Sequence, residues 1–229
     1  MPTPGPAAAA FFDARAAHYE ILARLGIPRY DEMIRQLVWT LTGDPRRILE
    51  LGCGTGALTA ALARRFEGAE LVAVDAAPQM LECAQARLGQ VPRAARVCWL
   101  LSDFEALELH AESFDLVASC MALHHAADKA PLLASLERSL RPGGQLIFAD
   151  ELRAAAGSIE SLHWNAWLAF ARQPGHLSPA EIEDILVHVD TQDHYETLPA
   201  QIDLLRDAGF REVDCVWRYL NYAIFTASA

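Results

Sequence analysis

The stretch ILELGCGTGALTAALARRF, residues 48–66, decides the fold of this chain. It begins with an aliphatic run, places Gly52, Gly54 and Gly56 within five positions, and continues as a helical pattern. Glycine weakens both strands and helices, so a turn this rich in glycine indicates a close approach between the backbone and a ligand. An ordinary tight turn is the alternative that the glycines by themselves leave open.

Short aliphatic runs alternate with helical segments through most of the remaining chain. The strand-like runs are RILEL, ELVAVD, RVCWLL, FDLVASC and GQLIFADEL, and the closing runs REVDCVWRYL and NYAIFTAS are typical of an antiparallel hairpin. Strand–helix–strand repeats form parallel sheets through right-handed crossovers. The sequence therefore predicts an α/β fold with a doubly wound, seven-stranded, mostly parallel sheet, buried on both faces. Such sheets bind ligands beyond the carboxyl ends of their strands.

Four segments make up the predicted domain organisation. Residues 1–45 form an N-terminal helical lid with one helix expected over residues 7–26 and a second over residues 30–41. Residues 46–152 form the ligand-binding core. Residues 153–195 form a helical insertion, with two helices expected on either side of QPGHLSP. We expect it to serve as a substrate lid, because a connection of this length is more often a binding insertion than a plain loop. Residues 196–229 supply the closing helix and the C-terminal hairpin of the core.

Composition and charge narrow the class of protein. The 229 residues are 52% hydrophobic with a formal net charge of -11, which argues against binding to nucleic acid or to anionic membranes. The five cysteines are odd in number and widely spaced, as in reduced intracellular thiols. The chain shows neither a signal-peptide pattern nor an apolar run of about 18 residues. We expect a cytoplasmic protein, monomeric or homodimeric, that binds a small molecule and no metal.

Acidic residues stand where the strands are expected to meet a ligand. Asp75 ends the second strand, 21 residues after the middle glycine, where a carboxylate accepts hydrogen bonds from both hydroxyls of a ribose. Capping of the following helix is the alternative. Glu50 puts a negative charge before the glycine turn, which repels a pyrophosphate and suits an ammonium or sulfonium group. After the third strand, Asp103 can accept from an exocyclic amine, and the amide of Phe104 can donate to a ring nitrogen.

Five motifs of this chain resemble, in the same order, those of class I S-adenosylmethionine-dependent methyltransferases. They are ILELGCGTG, LVAVDAAPQML, LLSDFEAL, FDLVASCMALHH and LRPGGQLIFAD. The resemblance implies the Rossmann-like methyltransferase fold and S-adenosylmethionine as the cofactor of the core. It assigns the ribose to Asp75 and the adenine to Asp103 and Phe104. The other implied cofactor-binding residues are Glu50, Gly52, Cys53, Gly54, Ala76, Met80 and Ser119, the last placed on the loop after the fourth strand.

The flanking segments resemble a narrower group that contains carboxy-S-adenosylmethionine synthase. The likeness lies in three segments, FDARAAHYE, IPRYDEM and LLRDAGFREVDCVWRYLNYAIF. It implies that Tyr30 reaches over the cofactor, with Tyr19 as the second lid residue; packing of both rings between helices is the alternative. The synthase of that group grips an extra carboxylate with an arginine from its late insertion, whereas this chain has no Lys or Arg in residues 173–205. That departure argues against the synthase activity.

Candidate residues for the acceptor side follow the fourth strand and lie in the insertion. His124 and His125 are predicted to face the methyl group as general bases, or else to start the next helix. An aromatic wall for the substrate is predicted in the insertion, with packing against the core as the alternative. The segment HVDTQDH is expected to be an acidic, solvated linker rather than a metal site. The predicted substrate contacts are His163, Trp164, Trp167 and Tyr195.

The leading functional hypothesis is a methyltransferase of small-molecule metabolism. Its acceptor is expected to be neutral or cationic, because the insertion is acidic, and its second product is S-adenosylhomocysteine. An alternative reaction keeps the cofactor: attack of its own amino nitrogen on the γ-carbon gives azetidine-2-carboxylate and methylthioadenosine. A third hypothesis is a non-catalytic cofactor-binding protein, which loss of Asp75 or Asp103 would have favoured.

Overall fold

A seven-stranded sheet forms the centre of the protein in this computed structural model, which describes residues 5–92 and 94–229. The strands are β1 Arg47–Leu51, β2 Glu70–Asp75, β3 Arg96–Leu101, β4 Phe114–Cys120, β5 Leu140–Glu151, β6 Arg211–Tyr219 and β7 Tyr222–Ser228. Their order is β3-β2-β1-β4-β5-β7-β6. The first five strands are parallel, and β7 runs antiparallel to β5 and β6. The predicted doubly wound α/β fold is confirmed.

Helices cover both faces of the sheet and its carboxyl-terminal edge. None of those in the described ranges is long and apolar enough to cross a membrane. The first five are α1 Gly5–Asp13, α2 Ala16–Gly26, α3 Tyr30–Thr40, α4 Ala57–Arg65 and α5 Pro78–Leu88. The others are α6 Lys129–Ser139, α7 Gly157–Ala171, α8 Pro179–Gln192 and α9 Leu198–Asp207.

The strand alternation divides the core into two layers, one on each face of the sheet. Ile48 belongs to a cluster with residues of α3, α4 and α7, whereas its neighbour Leu49 packs with residues of α6 and α9. Successive side chains of a strand point to opposite faces, so a strand that is apolar throughout supplies both layers. β3 departs from this expectation, because it is an edge strand and leaves Leu101 56% exposed.

The N-terminal segment differs from its prediction. One helix was expected over residues 7–26, but α1 and α2 turn at Ala14 and Arg15. The guanidinium of Arg15 lies 3.8 Å from the centroid of the Phe11 ring and pairs with Asp184 of α8 at 2.7 Å. These contacts join the turn between the first two helices to the insertion.

The insertion contains the two helices expected on either side of QPGHLSP, and a buried tryptophan joins the first of them to α2. The indole Nε1 of Trp167 in α7 donates to the carbonyl of Gly26, the last residue of α2, at 2.8 Å. The Trp167 side chain is buried, and Ser178 forms a capping box with Glu181 at the start of α8. The insertion is therefore held against the N-terminal helices by an internal hydrogen bond.

Trp167→Phe should lower the free energy of unfolding by about 1–3 kcal/mol, because it leaves the buried Gly26 carbonyl without its donor. Urea unfolding followed by circular dichroism measures the change. Trp39→Phe is the matched control, since that indole is 78% exposed and its replacement should stay within about 0.5 kcal/mol of the parent. Equal effects of the two substitutions would contradict the role given to the Trp167 hydrogen bond.

Candidate active site

The glycine turn after β1 meets the chain that follows β4, because these strands are neighbours in the sheet. Gly52 has φ +62°, and a Cβ placed on it would lie 2.3 Å from the Cβ of Ala122. Gly54 also has a positive φ, +52°, but no atom of the described residues lies within 4 Å of where its Cβ would be. Gly52 is thus required by packing between two loops, whereas Gly54 leaves open space beside the turn.

Asp75 organises the glycine turn from the end of β2. One carboxylate oxygen accepts from the amide of Gly54 at 2.8 Å, and the other accepts from the amide of Ala77 at 2.9 Å. Ala77, rather than Asp75, is the N-cap residue of α5, and it makes no side-chain cap. The Asp75 carboxylate is therefore held facing the turn, with lone pairs left over for a further donor.

Glu50 is a buried acid at the carboxyl end of β1. Its side chain is 1% exposed, and within the described part of the chain its Oε2 atom has no hydrogen-bond partner. Burial raises the pKa of Glu50 to about 8, because the charged form is poorly solvated there. A cation beside this carboxylate would supply the missing stabilisation of its charge.

A cavity of about 950 Å³, open to solvent at its mouth, lies against the glycine turn and is called here the glycine-turn cavity. One predicted cofactor-binding residue, Ser119, does not line it. Ser119 lies inside β4 rather than on the loop after it, and its hydroxyl donates to the Leu51 carbonyl at 2.9 Å. The predicted residues that do line the cavity are Tyr19, Tyr30, Glu50, Gly52, Cys53, Gly54, Asp75, Ala76, Met80, Asp103 and Phe104.

A second cavity, of about 930 Å³, lies between the N-terminal helices and the insertion and is called the lid cavity. Both predicted catalytic histidines line it, and so do three of the four predicted substrate residues, Trp164, Trp167 and Tyr195. The fourth, His163, is buried but does not line the cavity. Burial lowers the pKa of His163, and the positive charge of Arg218 in β6 lowers it further. The aromatic wall is thus made without His163.

The two cavities adjoin each other. Phe12, Tyr19, Met121 and His125 line both of them. The Phe12 ring stands nearly perpendicular to that of Tyr19, with centroids 5.7 Å apart, and lies 5.2 Å from the ring of His125. A ligand in one cavity would therefore contact side chains that also border the other cavity.

The two histidines after β4 differ in charge. Burial lowers the pKa of His124, but the carboxylate of Asp150, which bonds its Nδ1, has the larger combined effect and raises the pKa to about 9. Burial and the charge of His124 lower the pKa of His125 to about 4. His124 is therefore charged and His125 neutral at pH 7 in the absence of further ligands.

The segment HVDTQDH is not a solvated linker, as was expected from its composition. Its side chains His188 and Asp193 are 9% and 3% exposed, and both line the lid cavity. Burial raises the pKa of Asp193, but contact with His125 and the charge of His124 lower it to about 2. The tertiary fold, in which α8 packs against α1, removes these polar groups from water.

Several lining residues were not predicted. Phe12, Met121 and Ala122 line the glycine-turn cavity, and Glu151 joins Asp193 on the lid cavity. The pattern FADEL at the end of β5 held a usable signal for Glu151, because acids at the carboxyl end of a parallel strand face the ligand edge. No comparable pattern marks Phe12 or Met121, whose positions depend on how the loops pack.

Comparison with known proteins identifies the fold and the cavity motifs. The methyltransferase domain family matches residues 49–148. Malonyl-[acyl-carrier protein] O-methyltransferase of Halorhodospira halophila is 39% identical over 155 residues, which are 65% of this chain and 51% of that protein. Carboxy-S-adenosyl-L-methionine synthase of Shewanella loihica is 27% identical over 95% of this chain and 91% of its own. An S-adenosylmethionine-dependent methyltransferase from Mesorhizobium loti superposes with a TM-score of 0.60 at 20% identity, covering 85% of this chain and 96% of that one.

These similarities, with the fold and the glycine turn, define an S-adenosylmethionine-binding α/β protein. The chain belongs to the class I S-adenosylmethionine-dependent methyltransferase superfamily, whose cofactor is S-adenosylmethionine. It spans about half the length of the malonyl-[acyl-carrier protein] O-methyltransferases that it matches.

Glu50→Gln should stabilise the cofactor-free protein by up to about 3 kcal/mol at pH 7. Between the ordinary glutamate pKa of 4.5 and about 8, the unfolded chain ionises while Glu50 in the native state stays protonated. The stability of the parent protein should therefore fall as pH rises through this window and level off above about pH 8. Urea unfolding of both proteins at several pH values measures the difference.

Glu67→Gln, at an exposed position, is the matched control and should leave the pH profile of the parent unchanged. The raised pKa of Glu50 sets a window of about pH 5 to pH 8. If the difference in stability between Glu50→Gln and the parent stayed constant across this window, Glu50 would be ionised in the native state throughout it.

Proposed function

We propose that this chain transfers a methyl group from S-adenosylmethionine to a small, neutral or cationic acceptor. The observation that carries the proposal is the junction of the two cavities. The glycine-turn cavity holds the motif residues of the superfamily, and the lid cavity holds an aromatic wall. A cofactor and an acceptor seated in adjoining cavities are in position for a direct displacement.

The glycine-turn cavity fits S-adenosylmethionine in shape and in charge. The space beside Gly54 lets a ligand approach the backbone, and Asp75 lies at the cavity wall as a candidate partner for the ribose hydroxyls. Asp103 and Phe104 line the same cavity and are proposed to contact the adenine. The unpartnered oxygen of Glu50 suits the positive charge of the methionine portion.

When bound, S-adenosylmethionine supplies a methyl group on a positively charged sulfur, so that alignment and exclusion of water are the main tasks left to the protein. Phe12 and Tyr19 are placed for this role, because both side chains line the two cavities. Burial raises the pKa of Tyr19 far above its ordinary value, so its hydroxyl stays protonated and can donate a hydrogen bond. Tyr30 lines only the glycine-turn cavity and is proposed to cover the cofactor.

The charge of the lid cavity supports a neutral or cationic acceptor. Among the described residues, four acids line it, namely Glu151, Glu181, Asp184 and Asp193. Two cations face them, charged His124 and Arg15, and Arg15 is paired with Asp184. A carboxylate acceptor, such as the malonyl group in the names of several relatives, would meet net negative charge in this cavity. The same acidic lining disfavours a carboxylated S-adenosylmethionine, which the names of the synthase relatives specify as their product.

Product analysis tests the proposal directly. The purified protein is incubated with S-adenosylmethionine alone, and then with small amines, small phenols and a malonyl thioester, and the nucleoside product is identified. S-adenosylhomocysteine formed only in the presence of an amine or phenol is the expected result. Methylthioadenosine formed without an acceptor would instead establish the cyclisation reaction, and tight cofactor binding with no product in any mixture would establish a binding protein.

Trp164→Ala should raise the KM of the acceptor found in that experiment by about tenfold, because a buried aromatic contact is worth about 1–3 kcal/mol. The affinity for S-adenosylmethionine should stay unchanged, since Trp164 lines only the lid cavity. Steady-state kinetics and calorimetry measure the two quantities. Trp39→Ala is the control, because Trp39 is 78% exposed. Loss of cofactor affinity with an unchanged KM would reject the division of the two cavities between cofactor and acceptor.

A further inference from the structure

A cluster of metal-ligating side chains lies in the wall of the lid cavity. His124, His125 and Asp193 each place one ligand atom within 4.8 Å of the others. His188 adds a fourth candidate, with its Nε2 3.5 Å from Oδ1 of Asp193. The four side chains come from two distant segments, the turn after β4 and the end of α8 with the residues that follow it.

Three polar atoms in this cluster are buried and unsatisfied. They are Nδ1 of His125, Nε2 of His188 and Oδ1 of Asp193, none of which has a hydrogen-bond partner among the described residues. The first nitrogen lies only 2.9 Å from the carboxylate oxygen, but the ring N–H direction does not give hydrogen-bond geometry. Buried polar atoms without partners are costly, so three of them in one cluster indicate a missing ligand.

The spacing of the atoms suits one ion. In a tetrahedral site with metal–nitrogen distances of about 2.0–2.1 Å, neighbouring donor atoms lie about 3.3–3.4 Å apart. The Oδ1 atom of Asp193 lies 2.9 Å from Nδ1 of His125, 3.5 Å from Nε2 of His188 and 3.9 Å from Nε2 of His124. The distances from Oδ1 of Asp193 therefore bracket the tetrahedral value.

The candidate ligands are themselves hydrogen-bonded to neighbouring side chains, as ligands in metal sites are. The Nδ1 atom of His124 bonds the carboxylate of Asp150, which leaves its Nε2 directed at the cluster. The second oxygen of Asp193 accepts from the hydroxyl of Tyr195 at 2.7 Å. Such outer partners fix the orientation of an imidazole or carboxylate ligand and raise its basicity.

Backbone contacts hold the two segments together independently of the side-chain cluster. The amide of His194 donates to the carbonyl of His124 at 2.7 Å, and the ammonium of Lys129 donates to the carbonyl of His194. The position of Asp193 opposite the histidines is therefore set by the fold before any ion binds, which reduces the ordering cost of binding.

We propose that His124, His125 and Asp193 bind one divalent transition-metal ion in the wall of the lid cavity. His188 lies beside this group, with its Nε2 near Asp193, and is not one of the three ligands. Two imidazole nitrogens with one carboxylate oxygen select a borderline ion of the Zn²⁺, Co²⁺, Ni²⁺ or Fe²⁺ type over Mg²⁺ or Ca²⁺. Because the three ligands line the lid cavity, the ion would present a free coordination position to a molecule held there.

Cobalt binding tests this proposal without any assay of methyl transfer, so its outcome is separate from that of the proposed function. The untagged, full-length protein is freed of metal with a chelator and titrated with Co²⁺. The expected result is saturation at one ion per chain, with the intense visible absorption of four- or five-coordinate Co²⁺, and displacement by Zn²⁺. Absence of saturable binding would overturn the proposal and leave a histidine–carboxylate network in its place.

Substitutions locate the ion. Asp193→Asn keeps the shape of the side chain but removes its charge, and it should weaken Co²⁺ binding by at least about tenfold, as loss of even an outer partner does in metal sites. His125→Asn is the second variant if Asp193→Asn fails to fold, as judged by circular dichroism. His18→Asn and His110→Asn, at exposed positions, are the matched controls and should bind Co²⁺ as the parent does. Unchanged binding in folded Asp193→Asn, or equal loss in the controls, would overturn the assignment.

Discussion

The adjacency of β1 and β4 is the constraint on which the whole site depends. Leu51 and Ser119 are register partners in these parallel strands, so both chains leave the sheet at the same edge. The turn after β1 then meets the loop after β4, and Gly52 and Ala122 come so close that no side chain fits at position 52. This one contact brings the glycine turn, which borders one cavity, against the segment that contributes His124 and His125 to the other.

The glycine-turn cavity could be predicted from the sequence because its residues follow a simple geometric rule. Glu50, Asp75 and Asp103 each lie at or next to the carboxyl end of a parallel strand, and such ends share one edge of the sheet. The prediction was wrong at Ser119, which was placed on the loop although it belongs to the strand run FDLVASC. Ser119 is still inside β4, where its side chain faces the interior, while the next residue, Cys120, lines the cavity.

The lid cavity was harder to predict, because its polar residues come together only through the tertiary fold. His188 and Asp193 lie in a charged segment whose composition is typical of a solvated linker. They are buried because α8 packs against the N-terminal helices, where the ring of His188 stacks on that of Phe11 at 4.1 Å between centroids. His163 and Trp167 were both predicted to contact the substrate, but both are buried and only Trp167 lines the lid cavity.

Burial gives the two cavities a common electrostatic property. Glu50 on one side and Glu151 on the other both have pKa values raised to about 8 by removal from water. A cation that enters either cavity favours the ionised form of the acid beside it, so binding of the cation and release of a proton are coupled. An anion has the opposite effect, because it can be accommodated only beside the protonated acid. The burial that makes each acid costly to ionise therefore makes each cavity discriminate by charge, which is the property expected of a site for a sulfonium cofactor.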